Sequence, residues 1–301
     1  MRNAGLEVSV SRGGYPNETI RLLHGRASVR QFADRPIEES VLNAVLDAGV
    51  HSATGAMQPY SIIVVEDPGT RQKLHDIDGC GQKQIAEAPV DLLFCLDMRR
   101  NARWAKLRNA PFTATSSFEE WWVSFQDVII CAQSICTAAD AMGLGSVYIG
   151  TVYMHFLELR EFFDMPEGVF PIVMVCMGYP RGERPEPRPK LGRDIVVHRG
   201  SYREPSDEEL LAAIDAKHGG KVEPNERRLS TIAEVSRRVG GAPLEKRVLG
   251  DIRTRGYINT AQVIYGLAYR ADKGVENNLE YLEQLSEAGF GWHEEYHLND
   301  E

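Results

Sequence analysis

Apolar positions follow two regimes along the chain. Over the first 200 residues, stretches with helical spacing alternate with short unbroken apolar runs; after Pro205 only helical spacing remains, amid many charges. "PNETIRLLHG" predicts a short helix capped by Asn17 and ended by Gly25. "PIEESVLNAVLDAGVHSA" places Val41, Leu42, Val45 and Ala48 at helical period after Pro36. "SIIVVE" (61–66) and "VDLLFCLD" (90–97) are β-rich runs, and "PGTRQKLHDI" between them reads as a surface helix. "GSVYIGTV" and "VFPIVMVCMGYP" predict two further strands, the second apolar enough for an inner position. Residues 1–15 read as a loose arm. Residues 99–117, charged and then rich in Pro, Ser and Thr, read as a mobile excursion.

The longest apolar stretch lies between them. Ser117 and Glu120 form an S-x-x-E capping signature that opens a helix running to about Met142 and stopping at Gly143. It is apolar on nearly every face, with a narrow polar seam of Gln126, Gln133, Thr137 and Asp140. Such a helix is expected in the centre of a large core or at a subunit interface.

Composition shifts after residue 204. "RGERPEPRPKLGRD" (181–194) is too rich in proline for a helix, and beyond Pro205 charged amphipathic helices are expected at 206–217, 229–239, 244–254, 258–271 and 275–288. The expected domains are therefore 1–204 and a helical extension, 205–301.

The chain has 301 residues and 33.7 kDa, 43% of them hydrophobic and 26% charged, a usual balance for a soluble globular protein. A formal charge of −9 argues against the whole chain binding nucleic acid or an anionic membrane. The sequence has neither a signal-peptide-like N-terminus nor an uncharged apolar run of about 18 residues. A cytoplasmic protein without membrane contact is expected. Five cysteines without a CxxC pair speak against a disulfide framework or a cysteine metal site.

Four segments carry candidate chemistry. "RASVRQF" brings Arg26, Ser28 and Arg30 into five positions, a set of donors able to converge on one anion. "SATGAMQPY" is a small-residue loop in which Gly55 permits close backbone approach, while Thr54 and Gln58 offer polar side chains. "GLGSVYIG" is a glycine-punctuated exit from the long helix into a strand, and "PRPKLG" puts Arg188 and Lys190 two apart in a stiff loop. Each segment also has a plain structural reading: a solvated face, a connection, a helix cap.

In this order and spacing, together with "GCGQKQIAEAPVDLLFC" (79–95), these segments resemble the nitroreductase / flavin reductase family. The closest likeness is to its oxygen-insensitive, NADPH-using branch with a long C-terminal extension. The resemblance covers about residues 20–204. It implies an α+β fold: a central, mostly antiparallel sheet flanked by helices, in an intertwined homodimer with the 118–142 helix at the two-fold axis. It further implies FMN as cofactor, its phosphate held by the Arg26, Ala27, Ser28, Arg30 segment and by Arg188 and Lys190. Thr54 and Gln58 would lie along the ribityl chain and isoalloxazine, Gln82 at the pyrimidine edge, and the Tyr148, Ile149, Gly150 backbone against the ring. Ala27 stands where many relatives carry Arg or His, and the order of Arg188 and Lys190 is the reverse of the branch's. The implied activity is reduction of nitroaromatics, quinones or flavins by NADPH or NADH, in two-electron ping-pong turnover. No acid–base side chain is required, because hydride chemistry belongs to the cofactor. A flavin oxidase or dehydrogenase of the same fold stays open as an alternative.

Two further motifs compete. "HEEYH" (293–297) matches the H-E-x-x-H zinc signature but has no third ligand downstream, and a solvated tail is the expectation. Residues 227–256 carry eight cations against three carboxylates around "GGAP", so a flavin sensor with a DNA-binding C-terminal region is the other alternative.

Overall fold

The structure is a computed structural model and describes residues 14–55, 57–78, 82–296 and 298. The chain divides into two compact units. One comprises Met1–Pro187 with Leu282–Glu301, the other Arg188–Tyr281.

The first unit is built on a four-stranded antiparallel sheet in the order β1-β2-β4-β3. In chain order it contains α1 (Glu18–Gly25), α2 (Glu39–Val50), β1 (Tyr60–Val65), α3 (Pro68–Asp78), α4 (Gln84–Glu87), β2 (Val90–Asp97) and α5 (Arg99–Leu107). Then follow α6 (Phe118–Ala141), β3 (Gly145–Ile149), α7 (Phe156–Phe162) and β4 (Val169–Gly178). The two unbroken apolar runs, β2 and β4, are the inner strands, and every residue of both is buried. Side chains alternate across a strand. Leu92, Phe94 and Leu96 therefore join a core under α6 with Val128, Ile135 and Ala139. Leu93 and Cys95 join a second core with Leu74, Ile85 and Leu159 on the opposite face.

Close backbone approach seats the segment after α1. A Cβ on Gly145 would lie 2.4 Å from Val29 Cγ2, so only glycine lets residues 28–29 lie flush against the start of β3. There Ser28 bridges Ser146 in parallel fashion, and Val29 N donates to Ser146 O at 3.0 Å.

Several sequence expectations are corrected. Residues 99–107 form α5 rather than a mobile excursion, because Asn101 and Ala105 are buried beneath its exposed cations. The third strand ends at Ile149 and gives way to a 3-10 turn, Thr151–His155. Of the two places expected for α6, the centre of the core is not met in the single chain, where Trp122 is 51% and Ile130 41% exposed; a subunit interface stays the expectation. Ahead of the HEEYH segment the chain is anchored, with Phe290 fully buried and Trp292 packed against Trp121 at 5.7 Å; within the segment Glu294, Glu295 and Tyr296 are exposed, as expected of a solvated tail.

The second unit is helical: α8 (Arg193–Val196), α9 (Asp207–His218), α10 (Glu226–Arg255), α11 (Thr260–Val263) and α12 (Ala271–Glu276), with α13 (Asn278–Glu287) running across the division. The two helices expected around "GGAP" are the two arms of α10, separated by a non-helical kink at Gly240 and Gly241, the latter at φ 68°. The span expected as one helix over 258–271 is a short α11 followed by a π turn, Ile264–Ala268. Ile232, Ile252 and Ile258 form this unit's own core. No helix among the described residues is long and apolar enough to cross a membrane.

Candidate functional site

The first cluster sits where α1, α6 and β3 meet. Arg26 follows α1 directly and is half-buried; its Nη2 reaches Ser146 Oγ at 3.3 Å, and its guanidinium lies 5.7 Å from the Tyr148 ring centre. Its Nε faces Asp140 Oδ2 at 3.8 Å, while Arg184 Nη1 donates to Asp140 Oδ1 at 2.7 Å. Ser28 runs alongside through its bridge to Ser146. Ala27 between them is half-buried, and Arg30 is exposed with no hydrogen bond or ion pair among the described residues. Tyr148 donates to Gln133 Oε1 at 3.4 Å, and burial pushes its phenol well above the ordinary range.

The strand's far end receives Gln82. Its Nε2 donates to Thr151 Oγ1 at 3.0 Å, one residue past Gly150, and its Oε1 accepts from Gln84 at 2.9 Å. Ile149 is buried in the second core and Gly150 is exposed at the strand's end. Arg26, Ser28, Gln82 and the Tyr148–Gly150 strand end are thus gathered along one short strand.

The Thr54–Gln58 loop is fixed elsewhere on α6. Gly55 N donates to both carboxylate oxygens of Asp127 at 3.0 Å. A Cβ on Gly55 would come within 2.8 Å of Val123 Cγ1, so the loop rests directly on the helix. Asp127 is buried, which raises its pKa against the lowering effect of the Gly55 N–H. Gln58 takes a positive φ of 45°, uncommon for a residue with a side chain. Its Nε2 donates to Val50 O at 2.9 Å, while Arg100 of α5 donates to its carbonyl and to that of Tyr60. Thr54 is half-buried in the same loop.

Asp127 and Asp140 stand thirteen residues apart, so the two clusters are anchored about 20 Å apart along the axis of α6. Within one chain the loop and the arginine corner are separate. Arg188 and Lys190 are exposed on non-helical chain at the start of the second unit.

Asp127, Asp140, Ser146, Arg100 and Arg184 had not been singled out as site residues. The signal for the two acids was available: a carboxylate inside an otherwise apolar helix must find a partner.

The competing motifs are placed as follows. His293 Nε2 is hydrogen-bonded to Ser286 Oγ at 3.0 Å, and His297 lies outside the described residues. Cations of the basic C-terminal stretch face carboxylates of their own unit: Arg237 on Glu245, Arg238 on Asp272 and Glu276, Arg255 on Asp251.

The nitroreductase family profile matches residues 23–179, just over half of the chain. This chain belongs to the nitroreductase family. Over 198 residues it is 33% identical to an oxygen-insensitive NADPH nitroreductase of Salmonella typhimurium, covering 65% of this chain and 79% of that protein. Over 203 residues it is 32% identical to an FMN reductase (NAD(P)H) of Bacillus subtilis, covering 66% and 80%. Among solved structures, an oxidoreductase from Bacteroides fragilis superposes with a TM-score of 0.72 at 25% identity, over 90% of this chain and 99% of that one. NfrA2 of Bacillus megaterium does so with a TM-score of 0.67 at 27% identity, over 91% and 98%. This nitroreductase-family chain thus shares its fold with relatives through nearly their whole length, including the helical part beyond the sheet.

Proposed function

We propose that the protein is an FMN-dependent NAD(P)H oxidoreductase that reduces nitroaromatics, quinones or flavins by two-electron, ping-pong turnover. The observation that carries this reading is the corner formed by Arg26, Ser28 and Ser146 at the start of β3.

The residues present there fit a flavin mononucleotide. Arg26 keeps a buried Nε without a hydrogen-bond partner among the described residues, Arg30 is exposed nearby in sequence, and Ser28 adds a hydroxyl. Guanidinium groups with a hydroxyl match the charge and acceptor count of a phosphate dianion. When bound, FMN supplies the hydride and electron chemistry. The chain's part is holding and orienting. Arg26, Ser28 and Arg30 take the phosphate, and Gln82 and the Tyr148–Gly150 backbone line the ring. Thr54 and Gln58, set on a loop pinned to Asp127, take the ribityl side.

The 20 Å between the two anchors supports a site completed by two copies of the chain, each contributing one anchor. The exposed apolar stripe of α6 (Phe118, Trp122, Val123, Ile130) gives those copies a surface to share. Purified protein is expected to be yellow and to release FMN, not FAD, on denaturation. Double-reciprocal plots of NADPH against a quinone are expected to be parallel. Intersecting lines, or release of FAD, contradict the reading.

A further inference from the structure

We propose that Asp140 is the positioning residue that holds the Arg26 guanidinium in place for the phosphate of the cofactor; the inference rests on the phosphate reading of Arg26 given above. The Asp140 side chain is only 3% exposed, yet it lies in the last turn of α6. Aligned peptide dipoles disfavour negative charge at that end of a helix, and a buried carboxylate persists there only where cations answer it.

Two cations do, from segments far apart in sequence. Arg184 takes Oδ1 at 2.7 Å and also donates to Leu144 O, closing the helix exit. Arg26 Nε stands 3.8 Å from Oδ2, too far for a hydrogen bond, and neither atom has another partner among the described residues. The attraction is therefore charge on charge. It fixes where the guanidinium sits while Nη2 rests on Ser146 Oγ at 3.3 Å. Nη1 makes no hydrogen bond among the described residues, so a donor edge remains for an anion. Two guanidinium groups against one carboxylate leave one positive charge uncompensated, and Arg184 holds the shorter contact with Asp140. Arg26 is thereby held without being neutralised.

Without Asp140, Arg26 and Arg184 would face each other unscreened, and the half-buried Arg26 would turn out to solvent. A simple structural staple at the end of α6 would instead affect folding and every ligand alike. Riboflavin, which is FMN without its phosphate, separates the two.

The test compares dissociation constants for FMN and riboflavin, by flavin fluorescence, in wild type, Asp140→Asn, Asp140→Glu and Arg184→Gln, with thermal unfolding of each apoprotein. Asp140→Asn is expected to weaken FMN at least about tenfold, the loss of one charge-assisted contact, and to leave riboflavin unchanged. Asp140→Glu is expected to restore most of the preference. Arg184→Gln, which leaves Asp140 to Arg26 alone, is expected to lower the preference as well, and it keeps the test open should Asp140→Asn not fold. An equal loss for both flavins makes Asp140 a staple and overturns the proposal, as does an unchanged preference in Arg184→Gln. Tighter FMN binding by Asp140→Asn overturns it by showing that the carboxylate competes with the phosphate. A wild type that binds FMN no better than riboflavin overturns the phosphate reading itself, and that result is distinguishable because the preference is then missing before any substitution.

Discussion

At Gly55 a single missing side chain decides how the candidate flavin loop lies. Its amide sits on both oxygens of Asp127, and an added Cβ would press on Val123. Gly55→Ala is expected to lift the loop and weaken FMN retention measured by ultrafiltration, while the melting temperature changes little, because the loop lies outside both cores. An unchanged FMN affinity would show that the loop does not serve the cofactor. The double substitution Arg26→Ala/Arg30→Ala removes two charge-assisted contacts of about 1.5–3 kcal/mol each, and is expected to weaken FMN at least about 100-fold. Lys106→Ala/Arg108→Ala, two exposed cations in the last turn of α5 and at its C-cap, is the matched control. Equal losses in the two doubles would contradict the phosphate assignment. The glycine and the arginines were legible as residue types in their segments. Asp140 was visible only as one position of a polar seam and Asp127 not at all, because their partners, Arg26 and Gly55, lie 114 and 72 positions earlier in the chain.

Among the elements, β2 holds one residue that its apolar run conceals. Asp91 is fully buried between β1 and β4, where the weak thiol donor of Cys176 is its one hydrogen-bonding partner among the described residues, and burial pushes it up to about 8 against the lowering effects of Cys176 and Arg71. The folded protein therefore keeps a proton that the unfolded chain releases above its ordinary 3.8. Folding takes up that proton, so this group's contribution makes stability fall as pH rises from about 4 to about 8. Asp91→Asn, which resembles the protonated acid, is expected to flatten that slope and to raise stability at pH 9 by at least about 1 kcal/mol, the low end for an unsatisfied buried polar group. Denaturant unfolding across the pH range checks this; an unaltered slope would mean that Asp91 is ionised in the native state. The sheet itself was readable, since the run from Val169 is the inner strand the sequence predicts and 90–97, read from its β-rich run, is the other. The excursion over 99–117 was misread because its charges mask two buried positions, Asn101 and Ala105, at helical spacing. The tail's anchoring was invisible because Trp292 and Phe290 meet partners on α6 and β4, far away in sequence.

For the whole molecule, the apolar half-exposed face of α6 sets the expected assembly. Phe118, Trp122, Val123 and Ile130 stay in water beside a fully packed opposite side. A homodimer is the expected form, and sedimentation of the purified protein at micromolar concentration checks it. Ile130→Glu places a charge on that stripe and is expected to shift the population to monomer and to lower FMN occupancy in parallel. A flavin-loaded wild-type monomer would contradict the shared site. NADPH is the expected donor, because the family branch that the sequence resembles uses it, and both donors can be compared directly. The most direct test of the central claim is anaerobic stopped-flow mixing of the flavin-loaded protein with NADPH and, separately, NADH, followed in the visible flavin band. Bleaching is expected at least as fast as steady-state turnover with a quinone, and faster with NADPH than with NADH. Bound flavin that neither nicotinamide reduces on the timescale of turnover would contradict it.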